Sequence, residues 1–481
     1  MVEKNNMFNI PQSFITRHYN EGRNLPDYRT EFMRDRDRIM YATAFRRLAG
    51  KTQIYTVGAD DHKKNRLTHT LEVAQIARTI AMALGLNAAL AEAIALAHDF
   101  GHTPFGHAGE QILHEIMVPK ATVIKNSPFY GKDFSKIERR FGRENPDKMV
   151  CLEHAFGFKH NLQSVRVTAL LEDSYRGENG ENIGLNLTNY TLYGMMIHSS
   201  ATYKENDDYP NFQNKFQEQM NIPGHTSPAW SFEAYVVKLA DDVAQWHHDL
   251  EDAMREGVLP IVKICDTILK SLQNSLSPDD KLILDKIRGA TLMDRRGIAE
   301  LSHIVVNTFV NDIIEASKNN FAVLLDDLAE KKIDNAEQLF SEYDKLELPI
   351  KKEDVITISK KIDSNEFKGI IKGSVHHSRN VERMNEKGKY IIRKLFEAYY
   401  AHPQQLPDGP ILHLLVETGS IQAENIDEVK KLGIGEARVV FDEVMKNPSI
   451  YVECMLMRRI CDHIASMTDH YAIEEYNNLY G

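Results

Sequence analysis

Sulfur chemistry has little footing in this chain. Four of its 481 residues are cysteine, Cys151, Cys265, Cys454 and Cys461, and no two form a C-x-x-C pair. That excludes a disulfide scaffold or a cysteine-built zinc site, and points to reduced thiols in a cytoplasmic protein. Long apolar runs are missing as well. The most apolar stretch, Ile76 to Ala97, is interrupted by Arg78, Gly85, Asn87 and Glu92. It reads as a helical hairpin rather than a membrane span, so no membrane partner is expected. Met1-Val2-Glu3-Lys4-Asn5-Asn6 lacks the basic-then-apolar order of a signal peptide. Positive charge is not in excess either: 58 Lys and Arg against 69 Asp and Glu leave a net charge of −11. A chain that coats nucleic acid is therefore excluded, while a local basic cleft for phosphates is not. There is no internal repeat, low-complexity tract or heptad run. What remains, 42% apolar and 26% charged residues, is the composition of an ordinary globular protein with a sizeable core.

The chain is organised around His98-Asp99-Phe100-Gly101-His102-Thr103-Pro104-Phe105-Gly106-His107-Ala108-Gly109-Glu110. Ala89 to Ala97, before it, is almost wholly apolar and suits a buried helix. That helix ends in an imidazole and a carboxylate, followed by a turn with two more histidines. Such a group is costly to bury without a partner, and a bound metal ion is the simplest one.

Other inward-facing groups can be found by helical spacing. His69 shares a stripe with Val73, Ile76 and Ile80, after Asn65-Arg66-Leu67-Thr68 opens its helix. Asp241, in the strong helix Phe232 to Arg255, shares a stripe with Val237 and Ala244, and Asp249 follows two turns later. His69, His98, Asp99 and Asp241 thus form a two-imidazole, two-carboxylate set from three helices. Mixed nitrogen and oxygen donors suit Mn²⁺, Mg²⁺, Fe²⁺, Co²⁺ or Zn²⁺. His107 and Glu110 lie three apart on the next helix, the spacing of an imidazole oriented by a carboxylate for acid–base work. His102 lies between the two groups and could contact phosphate or the attacking water. Arg66, Lys51, His154, His160 and Arg166 are candidates for gripping a polyanion.

The remaining chain is read more coarsely. Residues 1–29 are expected to be an arm packed on the surface or on a neighbouring subunit, and Glu31 to Leu48 one arginine-rich helix. Gln53 to Val57 reads as a short extended piece. A charged insertion spans 118–150, and polar segments span 201–228. A strand or irregular segment is expected within Val355 to Gly373, in a second half that is otherwise helical. The fold expected is all-α: a catalytic core over 30–258, and a helical C-terminal region over 259–481 packed on it.

These residues resemble the HD-domain deoxynucleoside triphosphate triphosphohydrolases of the bacterial dGTPase-like group. The likeness is carried by Asn65 to Val73, His98 to Glu110 and Ala240-Asp241-Asp242-Val243-Ala244. Phe158 to Arg166, Gly184 to Thr188, Asp249 to Ala253 and Cys461 to Ala472 extend it along nearly the whole chain. The resemblance implies metal ligands at His69, His98, Asp99 and Asp241, a catalytic dyad at His107 and Glu110, and an auxiliary histidine at His102. It further implies a triphosphate contact at Arg66, a sugar-edge residue at Gln53, and Asp249 near the 3′-hydroxyl. Manganese or magnesium, a dNTP substrate and a homo-oligomer, often a hexamer, are implied too. Some members answer to a dNTP or single-stranded-DNA effector. One departure stands out: Gln245 occupies the position, four after Asp241, where the family commonly has a tyrosine under the sugar. Two other readings share parts of this pattern. One is a phosphodiesterase or 5′-nucleotidase of the wider HD superfamily; the other is a nucleotide-sensing regulator with little hydrolysis.

Overall fold

The computed structural model describes residues 7–21, 28–52, 64–117, 157–178, 180–197, 220–222, 229–255, 257, 259–289, 295–362, parts of 364–369, 379–422 and 426–481. Gln53, Cys151, His154, the 118–150 insertion and most of 201–228 lie outside the described residues. Among those described, the fold is all-α; pairing of extended backbone is confined to isolated bridges such as Thr52 with Asn65.

The helices that build the site begin and end where local chemistry dictates. Helix α1 spans Glu31–Tyr41, and Thr30 caps it by accepting from Met33 N. The single helix expected to reach Leu48 breaks at Ala42, which is extended. The cause is remote: the Glu172 carboxylate accepts from Thr43 N and Ala44 N at 3.1 and 2.7 Å, capping a new helical turn. Helix α2, Arg66–Leu84, is capped by the Asn65 side chain. It stops at Gly85, whose φ of 73° lies in the left-handed region that glycine adopts without penalty. Leu86 N then bonds Ala81 O and Gly85 N bonds Met82 O, a Schellman closure. Asn87 caps α3, Ala88–Ala97, within three residues, so the two helices pack as an antiparallel pair. Helices α4, Gly106–Met117, α5, His160–Arg166, α6, Asn189–Ile197, and α7, Phe232–Arg255, complete the surroundings of the site.

Apolar side chains gather in two clusters. The first joins α2, α3, α6 and α7 to the long α8, Arg295–Glu330. The N-terminal arm packs on it, with the Phe8 ring 4.4 Å from Phe321 and 5.6 Å from Phe232. The second cluster takes Ile112, Leu113, Ile116 and Met117 of α4 into a group otherwise built by Phe158 and C-terminal helices. These include α9, Arg379–Ala401, α10, Asp408–Glu417, α11, Ile450–Ser466, and α12, Asp469–Tyr480. Within 355–362 the chain is irregular after a short helical turn ending at Val355.

Candidate active site

His69 sits in the first turn of α2, His98 and Asp99 follow the last turn of α3, and Asp241 lies midway along α7. Their donor atoms converge. His69 Nε2 is 2.9 Å from Asp241 Oδ1; His98 Nε2 is 3.3 Å from Asp99 Oδ1 and 3.7 Å from Asp241 Oδ1. Donors around one divalent ion, with bonds of about 2.1 Å, stand about 3 Å apart when adjacent and about 4 Å when opposite. These spacings fall within that range. One donor each from His69, His98 and Asp99 lies within 4.8 Å of the others, a group able to hold a divalent ion, and Asp241 adjoins both imidazoles. His98 Nδ1 donates to Ala95 O at 2.6 Å, which turns the Nε2 lone pair toward the carboxylates.

The turn after Asp99 is held from behind. Ser164 of α5 accepts from Gly101 N at 2.8 Å and donates to His98 O at 2.6 Å. A Cβ at Gly101 would come within 2.1 Å of His160 O, so only glycine lets this turn lie against the α5 backbone. Further along, Phe105 has φ 60°, a strained value for a bulky residue. Its N–H is tied to Asp469 Oδ1 of α12 at 2.9 Å.

Charge in the site is tightly coupled. Burial alone would lower the His98 imidazole, but Asp99 and Asp241 outweigh it and raise it to about 9. Burial pushes the Asp99 carboxyl up, yet His98, His102 and Arg66 hold it well below the usual carboxylate range. Arg66 is itself buried and donates Nη1 to Asp99 Oδ2 at 2.7 Å. Asp241 is held low by His69 and His98, again against burial. The two carboxylates therefore hold positive charge beside them; a divalent ion bound there would supply that charge and leave the imidazole lone pairs free to coordinate.

A second group lies beside the first. The His102 and His160 rings stack with centroids 3.9 Å apart, and His102 Nε2 is 3.1 Å from Asp99 Oδ1. Burial, with the charges of Arg66 and His160, keeps His102 neutral. Its Nδ1 is buried with no hydrogen-bond partner among the described residues. His160 Nδ1 bonds Glu110 Oε2 at 2.6 Å, and Lys159 Nζ bonds Glu110 Oε1 at 2.8 Å. His107 Nδ1 is 3.7 Å from Glu110 Oε2, on a side chain 67% exposed. Glu110 therefore touches both imidazoles, His160 more closely than His107.

A cleft of about 200 Å³ joins the two groups. Its lining includes Arg66, His69, Asp99, His102, His107, His160, Asp241 and Gln245. Three expected polyanion or sugar contacts are not among its lining. Lys51 is buried, and its ammonium donates to His102 O and Ala465 O. Burial, with Arg47 and Arg66 nearby, pushes Lys51 down to about 7. Arg166 forms a paired contact with Asp462 at 2.8 and 3.0 Å. Asp249 is buried and is not among the lining residues.

Residues 66–157 match the HD domain family, and residues 358–414 and 452–478 match the phosphohydrolase-associated domain. Proteins named deoxyguanosinetriphosphate triphosphohydrolase-like protein align along almost the full length. The one from Bartonella henselae is 30% identical over 98% of this chain and 94% of its own. That from Azoarcus sp. (strain BH72) is 31% identical over 95% and 91%, and that from Rickettsia prowazekii 31% over 94% and 92%. The chain belongs to this deoxyguanosinetriphosphate triphosphohydrolase-like family. It is an HD-domain hydrolase with His and Asp groups able to hold a metal ion. No helix among the described residues is long and apolar enough to cross a membrane.

Two cleft residues of this triphosphohydrolase-like chain escaped the sequence reading. Lys238 and Asp242 line the cleft beside Gln245. The signal was present: 238, 241, 242 and 245 form one stripe of α7 at helical spacing. A cluster of Glu72, His247 and His248 behind His69 was missed as well.

Proposed function

We propose that this chain hydrolyses deoxynucleoside triphosphates to deoxynucleoside and inorganic triphosphate, with a divalent ion, manganese or magnesium, held by His69, His98, Asp99 and Asp241. The reading is carried by one observation. Three of the four proposed donors, His69, Asp99 and Asp241, line the same cleft as cationic and imidazole groups suited to a triphosphate. An ion in that shell supplies Lewis acidity toward a phosphoryl oxygen. Arg66 offers its guanidinium to the phosphate chain while bracing Asp99. Lys238 adds a second positive charge to the cleft lining. His107, exposed at the rim, is placed to protonate the 5′-oxygen as its bond to the α-phosphorus breaks, and Glu110 orients it. The water oxygen ends on the triphosphate, so atoms balance as dNTP plus water.

His160 shares Glu110 and keeps that carboxylate charged: burial pushes Glu110 up, but His160 and His107 hold it far down. Gln245 offers a hydrogen-bonding amide where the family commonly stacks a tyrosine, and so bears on sugar recognition. A cytoplasmic homo-oligomer, with a dNTP or single-stranded-DNA effector, belongs to the same reading.

The test is an assay of the four dNTPs with Mn²⁺ or Mg²⁺, separating the products. Deoxynucleoside and triphosphate in equal amounts support the reading. Monophosphate with pyrophosphate, or free phosphate alone, would assign the site to a phosphodiesterase or nucleotidase. Binding without turnover would make it a sensor.

A further inference from the structure

The two imidazoles of the metal shell are tied at their far nitrogens by different means. His98 Nδ1 donates to a backbone carbonyl, Ala95 O. Among the described residues His69 has no such carbonyl. Its Nδ1 lies 3.4 Å from Nδ1 of His248, and Nε2 of His248 meets the Glu72 carboxylate. Glu72 follows His69 by one turn on α2, and His248 follows Asp241 by two turns on α7. The same two helices therefore bring both the ligands and the groups behind them.

The Glu72, His247 and His248 donors lie close enough to suggest a second ion. Lys64 argues against that. Its ammonium stands 3.4 Å from Glu72 Oε1, 3.5 Å from His247 Nε2 and 2.7 Å from Glu251 Oε2. The positive charge such a site would attract is already supplied by the chain itself.

One hydrogen pattern pairs both His248 nitrogens and Nδ1 of His69. Glu72, acceptor only, takes the Nε2 proton of His248. His248 Nδ1 is then an acceptor and takes the Nδ1 proton of His69. His69 Nε2 is left with its lone pair toward Asp241 and the ion position, 2.9 Å from Asp241 Oδ1. We infer that Glu72 and His248 form a carboxylate–imidazole relay that fixes His69 in its metal-binding tautomer. His248 is a positioning residue here: it is 1% exposed and does not line the cleft. The relay rests on His69 being a metal ligand. Outer partners of this kind are worth about 10–100-fold in metal affinity.

The experiment is a calorimetric titration of the full-length protein with Mn²⁺, wild type beside H248A, H248Q and E72Q, with thermal melts as a check on folding. Glutamine at 248 can accept from His69 and donate to Glu72, so H248Q should bind within a few-fold of wild type. H248A should weaken binding by about 10–100-fold, and E72Q by an intermediate factor. If H248A does not fold, the pair H248Q and E72Q decides: E72Q must bind more weakly than H248Q. Equal affinity in wild type and folded variants overturns the relay. A wild type that binds no Mn²⁺ overturns instead the metal reading on which it rests, so the two failures are distinguishable.

Discussion

The proposed metal end and the proposed proton-transfer end of the cleft are built differently. His69, His98, Asp99 and Asp241 hang from α2, α3 and α7, which share the first apolar cluster. His107 and Glu110 ride on α4, whose apolar face packs into the second cluster with the C-terminal helices. The first group is fixed within one core, with His69, His98 and Asp99 buried and the Asp241 carboxylate 26% exposed. The second is placed relative to it by what holds α4: the Ser164 staple, Asp469 on Phe105 N, and Lys51 on His102 O and Ala465 O. Metal binding should thus be robust to changes in the C-terminal region, whereas catalytic alignment should not be.

The sharpest break in this comparison comes from the shell itself. D241N or H98A should abolish Mn²⁺ binding by calorimetry and lower turnover by more than about 10³-fold, since the shell loses a donor. At the other end, H107A should keep wild-type Mn²⁺ affinity and lower kcat by about 10²–10⁴-fold. H160A should fall between wild type and H107A, because Glu110 loses its closer partner yet retains His107. Metal loss in H107A would merge the two ends into one unit.

A third test concerns the C-terminal support. Burial pushes the Asp462 carboxyl up, but Arg166 and Arg458 outweigh it and hold it well below its ordinary value. The stability this carboxylate contributes is therefore complete above the unfolded value of about 3.9, and is lost as the pH falls through the folded one. D462N leaves Arg166, Arg458 and Arg459 facing a neutral amide, and should cost about 3–5 kcal/mol in urea unfolding at pH 7. The difference from wild type should narrow in acid. The smallest effect is expected from K238M: about a 10-fold rise in KM for a dNTP, with kcat little changed, if its charge holds ground state and transition state alike.

What could be read from the sequence follows the range of the interactions. Asp241 was identified by a stripe with Val237 and Ala244, and His69 by its stripe with Val73 and Ile76. Helical periodicity reports faces without knowledge of the fold, and the structure turns both side chains into one cleft. The break at Gly85-Leu86-Asn87 was legible because cap and stop are local chemistry. Partners far along the chain were not. Spacing paired Glu110 with His107, but His160, fifty residues on, lies nearer. Lys51 and Arg166 looked free to grip a polyanion until Ala465 O and Asp462, hundreds of positions away, were seen to hold them. The helix break at Ala42 depends on Glu172 in the same way. A charged residue's partner is fixed by tertiary packing, which periodicity does not encode.

The central claim is convergence of four side chains on one ion, and anomalous diffraction from crystals grown with Mn²⁺ tests it most directly. One peak touching His69, His98, Asp99 and Asp241 is the expected result. A cleft with no peak at saturating metal, or a peak that leaves any of the four out of contact, would contradict it.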